Sequence, residues 1–151
     1  GYTEDDSRGA TKTDTPIVEI PQAMTVITGD LMRDQAMTGV GEALRFVPGV
    51  TVAQGEGHRD APVLRGNTTT ADFFVDGVRD DLQYFRDVYN TDRIEVLKGP
   101  SGLVFGRGTG GGVINRVSKQ ADGERTRAVT LGLGSFGYAR ASGDIGGEVS
   151  D

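Results

Sequence analysis

Few residues in this sequence have both the type and the spacing for chemistry. Gly106-Arg107-Gly108-Thr109-Gly110-Gly111 satisfies G-x-G-x-x-G, the glycine spacing that lets a backbone cradle a pyrophosphate. That use needs a strand before the glycines and a helix opening after them. Here Val113-Ile114-Asn115-Arg116-Val117 follows, which is strand-like, and no Gly-Lys-Ser/Thr completes a phosphate loop. The run reads as a structural turn. Its rival is a nucleotide-dependent enzyme, whose nucleotide affinity would vanish on changing Gly108 and Gly110. Asp72, Asp76, Asp80 and Asp81 form an acidic run without the EF-hand order, interrupted by Phe73 to Val75. They read as solvated turn carboxylates. His58, the only histidine, stands near Asp60, a pairing suited to acid–base work or metal ligation. With no nucleophile or second ligand beside it, it reads as exposed loop surface. No Ser-His-Asp set or glycosidase-type carboxylate pair stands out. Cys is absent, which excludes disulfides, thiolate zinc sites and thiol nucleophiles.

The elements that would carry these residues are short. Met24 to Thr28 is rich in β-branched residues and predicts a strand. Thr28-Gly29-Asp30 offers a helix N-cap for a helix over 31–37. Val40, Ala43, Leu44 and Val47 share one face of a second helix over 40–47, stopped by Pro48-Gly49. Polar loops are expected at 54–60, 66–72 and 80–89, the last with aromatics inside it. Phe73 to Arg79 predicts a hairpin, because Asp76-Gly77 suits a type I′ turn. Strands follow at 93–98 and 113–118, separated by a helical turn at 101–105 and the glycine loop at 106–112. From Thr126 to Leu133 the residues alternate, with Val129, Leu131 and Leu133 on one face. Alternation resumes from Phe136 to Ile145, with Tyr138, Arg140, Ser142 and Asp144 opposite Gly137, Ala139, Ala141, Gly143 and Ile145. Strands of about ten residues, apolar outside and polar inside, mark outer-membrane barrels. The bland alternative is a surface hairpin of a soluble sheet, yet two strands alone are marginal in water.

Composition narrows the class. The 151 residues suit one ordinary domain. The 24 glycines favour strands, tight turns and close backbone approach over a helical bundle. The net charge of −6 argues against a nucleic-acid partner, which needs a basic face. No stretch reaches the ~18 apolar residues of a membrane helix. The polar opening, residues 1–15, reads as a flexible lead-in.

One stretch is identifiable. Ile94-Glu95-Val96-Leu97-Lys98-Gly99-Pro100, then Leu103-Val104-Phe105-Gly106, then Gly110-Gly111-Gly112-Val113-Ile114-Asn115 resemble the plug signature of TonB-dependent receptors. Ala43-Leu44-Arg45-Phe46-Val47-Pro48-Gly49-Val50, Leu64-Arg65-Gly66 and Phe74-Val75-Asp76-Gly77-Val78 match further, in family order, and residues 89–119 are most similar to the ferric-catecholate branch. The resemblance implies an α+β plug over 16–123, a small mixed sheet with short helices, followed at 124–151 by the first hairpin of a 22-stranded transmembrane barrel. It implies a gate and partial binding site for ferric siderophore in the outer membrane, with no covalent chemistry. The siderophore holds the iron, so no cofactor and no protein metal ligand are expected. Glycines near the barrel wall would admit close backbone approach.

By position in the family, the ligand-binding apices are Gln54, Glu56, His58, Arg59, Thr68, Thr69, Gln83, Tyr84 and Phe85. Arg59 would pair with an anionic chelate, and Tyr84 and Phe85 would stack on catechol rings. Arg65 and Lys98 occupy positions where the family's plug meets acidic groups of its own barrel. Energy coupling would come from TonB, with ExbB and ExbD, through a TonB box. Nothing in residues 1–15 matches that box, and Asp14-Thr15-Pro16-Ile17-Val18 is only faintly similar, so the box is expected before Gly1. A stand-alone soluble periplasmic binding or signalling module with a plug-like fold is the alternative.

Overall fold

A computed structural model describes residues 1–2, 6–7, 15–16, 23–68, 72–99 and 111–148. The expected helical turn at 101–105 and glycine residues 106–110 lie outside them. The chain divides into two compact units, residues 1–118 and 119–151.

In the first unit, strands β1 (Asp6–Ser7) and β2 (Thr15–Pro16) form a small antiparallel pair. The centre is a mixed five-stranded sheet. It comprises β3 (Ala23–Thr28), β7 (Phe73–Val75), β8 (Val78–Arg79), β9 (Thr91–Lys98) and β10 (Gly112–Ser118), in the order β3-β9-β10-β7-β8. Only the β10–β7 pair is parallel. A second sheet holds β4 (Val50–Gly55), β5 (Arg59–Leu64) and β6 (Asn67–Thr68) in sequence order. Thus the expected loop at 66–72 begins as a short strand paired to β5, which polar Asn67 and Thr68 gave no periodicity to announce.

Helix α1 is Gly29–Asp34, shorter than the expected 31–37 and begun earlier. Its N-cap is Thr28, whose hydroxyl accepts from the Leu31 amide at 3.3 Å. Helix α2 is Val40–Leu44 and loosens into turns before Pro48. Val40, Ala43, Leu44 and Val47 are all buried, as their spacing requires. They join Ile27, Met32, Leu64, Phe73, Ile94, Val96 and Ile114 in the main core, on one face of the central sheet. The β7–β8 turn places Asp76 at φ 51° and Gly77 at φ 77°, the positive pair that a type I′ turn requires.

In the second unit, β11 (Arg127–Leu133) and β12 (Ala139–Ile145) form an antiparallel hairpin in unbroken register, with Leu131 opposite Ala141. Its connection is wider than a Gly134-Ser135 turn. Ser135–Gly137 make a 3-10 turn with Phe136 at φ 59°, so Phe136 and Tyr138 stand outside β12. One face carries Val129, Leu131, Leu133 and Ile145, all exposed, while Arg140, Ser142 and Asp144 on the other face are half-buried.

Candidate functional site

The β4–β5 hairpin is longer than expected. Residues 54–60 are not an open loop, because Gln54 pairs with Asp60 and Gly55 with Arg59. The tip is a tight turn in which the His58 amide donates to the Gly55 carbonyl and Glu56 and Gly57 have φ 54° and 75°. Glu56 takes a conformation glycine adopts more easily, so sequence alone did not place the turn there.

Beside this tip lies the segment 80–90, which has no strand of its own and one bridge, Asp87 to Gly39. Arg59 joins the two segments. Its Nη1 donates to Gln83 Oε1, and its Nη2 lies 4.0 Å from the Glu56 carboxylate. His58 is exposed, with Nδ1 3.1 Å from the Glu56 carbonyl. Phe85 rests on Gly39, where a Cβ would meet the ring at 2.5 Å. Phe85 and Gln54 face a shallow hollow that Arg45 and Val52 also line. Seven of the nine expected apical residues therefore gather on two adjoining segments. Thr68 does not join them. It pairs with Val63, four residues along β5 from Arg59, about 13 Å by strand rise. Thr69 lies outside the described residues. Arg65 sits in the β5–β6 turn at φ 50°, exposed, with Nη1 3.5 Å from where a Gly99 Cβ would stand. That brings it to the Lys98 end of β9, roughly 20 Å along β5 from Arg59.

Beneath the apex is a buried network that the sequence did not announce. Arg86 is 0% exposed. Its guanidinium donates to the carbonyls of Leu82 (2.6 Å), Asp80 (3.0 Å) and Tyr84 (3.2 Å), and its Nε lies 3.3 Å from Asp80 Oδ2. It stacks 3.7 Å from the Phe73 ring centroid and 4.5 Å from that of Tyr84. Arg116 of β10 reaches Asp80 Oδ2 at 2.6 Å and the Tyr84 hydroxyl at 2.7 Å. The Arg86 amide donates to Asp60 Oδ2 at 2.9 Å. Asp80 is thus paired with two arginines and Asp72 is buried, which corrects the reading of these two as solvated turn carboxylates; Asp76 does sit in the β7–β8 turn and Asp81 is exposed.

Asp60 Oδ1 is buried with no hydrogen-bond partner among the described residues. Burial pushes the Asp60 carboxyl above the usual carboxylate range, against the Arg86 amide bond and charge that favour the anion. A raised folded value makes the stabilising contribution of Asp60 complete below the unfolded value near ~4 and lost as pH rises through the folded value. Asp60→Asn should remove this fall. Melting temperatures of both proteins across acidic pH should show the variant gaining on the parent as pH increases. A constant gap would contradict the assignment.

Residues 16–113 match the family model of the TonB-dependent receptor plug domain. The chain belongs to the TonB-dependent receptor plug family. The catecholate siderophore receptor Fiu of Escherichia coli K12 is 35% identical over 141 residues, covering 90% of this chain and 19% of that receptor. The crystal structure of Fiu in its open form matches with a TM-score of 0.85 at 34% identity, over 97% of this chain and 22% of that one. The ferripyoverdine receptor of the Pseudomonas aeruginosa outer membrane, solved with ferripyoverdine bound, matches with a TM-score of 0.89 at 30% identity, over 99% of this chain and 21% of that one. The plug chain spans about a fifth of the length of these relatives. One is a ferric-catecholate import receptor and the other a receptor of the outer membrane, which favours a receptor plug over a stand-alone soluble module.

The plug's glycines also have a more local use than the resemblance implied. A Cβ on Gly111 would lie 3.1 Å from the Leu64 carbonyl oxygen, and one on Gly112 2.3 Å from that of Leu97. At these two positions the close approach is to the plug's own strands.

Proposed function

We propose that this plug is the gate and part of the binding site of a receptor that imports ferric siderophore across the Gram-negative outer membrane. The carrying observation is the family match over residues 16–113. Ligand rests on the apex formed by Gln54, Glu56, His58, Arg59, Gln83, Tyr84 and Phe85, and Thr68 of β6 and Thr69 are further ligand contacts. The siderophore holds the iron, so the plug supplies no metal ligand and no cofactor, and it performs no covalent chemistry. Residues 16–123 form the plug, and 124–151 begin a 22-stranded barrel, a reading supported by the outward apolar face of β11–β12. Arg65 and Lys98 face acidic groups of that barrel. TonB, with ExbB and ExbD, draws on a segment amino-terminal to the plug and rearranges it to open a path.

Cell fractionation tests this. An antibody to the plug, used on cells starved of iron, should reveal an outer-membrane protein several times larger than the chain and induced by starvation. A soluble periplasmic band of the chain's own size would overturn the proposal. At the apex, Arg59→Ala and Tyr84→Ala in the complete receptor should each weaken siderophore binding about tenfold, the scale of one charge-assisted bond or ring contact. Equilibrium titration with ferric siderophore checks this, and unchanged affinity in both would remove the apical assignment.

A further inference from the structure

Arg86 is the one apical arginine that no ligand can touch, since it is completely buried. Its donors go instead to the backbone of the segment that precedes it. The carbonyls of Asp80, Leu82 and Tyr84 all turn inward onto the guanidinium. Between and beyond them, Gln83, Tyr84 and Phe85 remain accessible to solvent. This stretch has no strand ladder to fix it. The Arg59 bond to Gln83 and the Asp60 amide on the Tyr84 carbonyl tie it to β5, while the planar fork gathers three of its carbonyls and Arg116 holds Tyr84 and Asp80 from β10.

We infer that Arg86 is a positioning residue that sets the siderophore-facing loop before ligand arrives. The inference rests on the apical reading given above. Ordering a loop on binding weakens affinity, and a loop already ordered avoids that loss. Arginine suits the position for geometric reasons. Its flat group stacks on Phe73 and lies against Tyr84 while its donors spread in one plane toward separate carbonyls. Lysine keeps the charge beside Asp60 and Asp80 but concentrates its donors at one point, so it cannot hold the same carbonyls together.

The test uses the complete receptor carrying Arg86→Lys, compared with the parent and with Arg59→Ala and Tyr84→Ala. Amide hydrogen exchange is measured without ligand, and affinity is measured with a ferric catecholate and with ferripyoverdine. Arg86→Lys should speed exchange of the Val40, Asp60 and Arg86 amides, which tie this segment to its neighbours, at least tenfold, leave β9 and β10 amides unchanged, and weaken binding by about tenfold to a hundredfold. Unchanged exchange of the Val40, Asp60 and Arg86 amides would overturn the inference. So would a general rise that includes β9 and β10, because that marks a purely structural residue. If the loop opens and affinity holds while Arg59→Ala and Tyr84→Ala weaken binding, loop order is irrelevant to ligand and the inference fails. If neither apical substitution affects binding of either probe, the apical reading fails, and loop exchange alone decides whether Arg86 sets the segment.

Discussion

Glu95→Ala is expected to destabilise the plug by about 3–5 kcal/mol, the cost of stripping one partner from a buried charged network. Glu95 is fully buried in β9, and so is Asn115 opposite it in β10. Glu95 Oε1 accepts from Arg93 Nε at 3.0 Å, and Oε2 accepts from Asn115 Nδ2 at 3.1 Å. Asn115 Oδ1 then accepts from the Gly77 amide at 3.0 Å, so the network crosses β9 and β10 to the β7–β8 turn. Burial alone would pull the Arg93 guanidinium down, yet the bonds and charges of Glu95 and Asp92 outweigh it and hold it above its ordinary value. Removing Glu95 leaves Arg93 with Asp92 only and leaves the Asn115 amide unmatched. Glu95→Gln keeps an acceptor for Asn115 but no charge for Arg93, and should cost about 1–2 kcal/mol. Urea unfolding followed by circular dichroism ranks the two. Equal costs would show that the charge, which both substitutions remove, carries the whole effect and that the acceptor kept for Asn115 adds nothing.

Gly112→Ala should cost about 3 kcal/mol or more, for a different reason. Gly112 begins β10 at φ 148°, with its Cβ position 2.3 Å from the Leu97 carbonyl oxygen. That atom is backbone in the neighbouring strand, so it moves only if the β9–β10 ladder moves. Gly49 is the control. It has φ 77° but open space around its Cβ position, so Gly49→Ala should cost about 1–2 kcal/mol, the left-handed penalty alone. The same unfolding measurement compares them, and a smaller loss at Gly112 than at Gly49 would refute the steric argument.

The contrast between what was legible in the sequence and what was not follows from range. Val40, Ala43, Leu44 and Val47 announce their buried face because a helix repeats locally, and Asp76-Gly77 announces its turn because φ is a local property. The alternation of β11 and β12 is local too. Arg86 was invisible because its partners, Asp60, Phe73, Asp80 and Tyr84, converge only once the sheets have formed. In a polar segment a lone arginine reads as solvated, and nothing in its neighbours says otherwise. The proposed apex was legible only as a set of loops. That Arg59 binds Gln83, and that Thr68 stands apart, depends on strand registers that composition does not encode.

The β11–β12 hairpin presents Val129, Leu131, Leu133 and Ile145 to the surroundings, and each strand pairs only with the other among the described residues. In water such a surface is adhesive twice over, through its apolar side and through two open strand margins that can template a further strand. What opposes clumping of separate copies is the mutual repulsion of chains that each carry −6. Added salt screens that repulsion and leaves the apolar attraction intact. Outside a lipid or detergent phase, the apolar face of β11–β12 therefore makes the association of separate copies sensitive to the ionic strength around them.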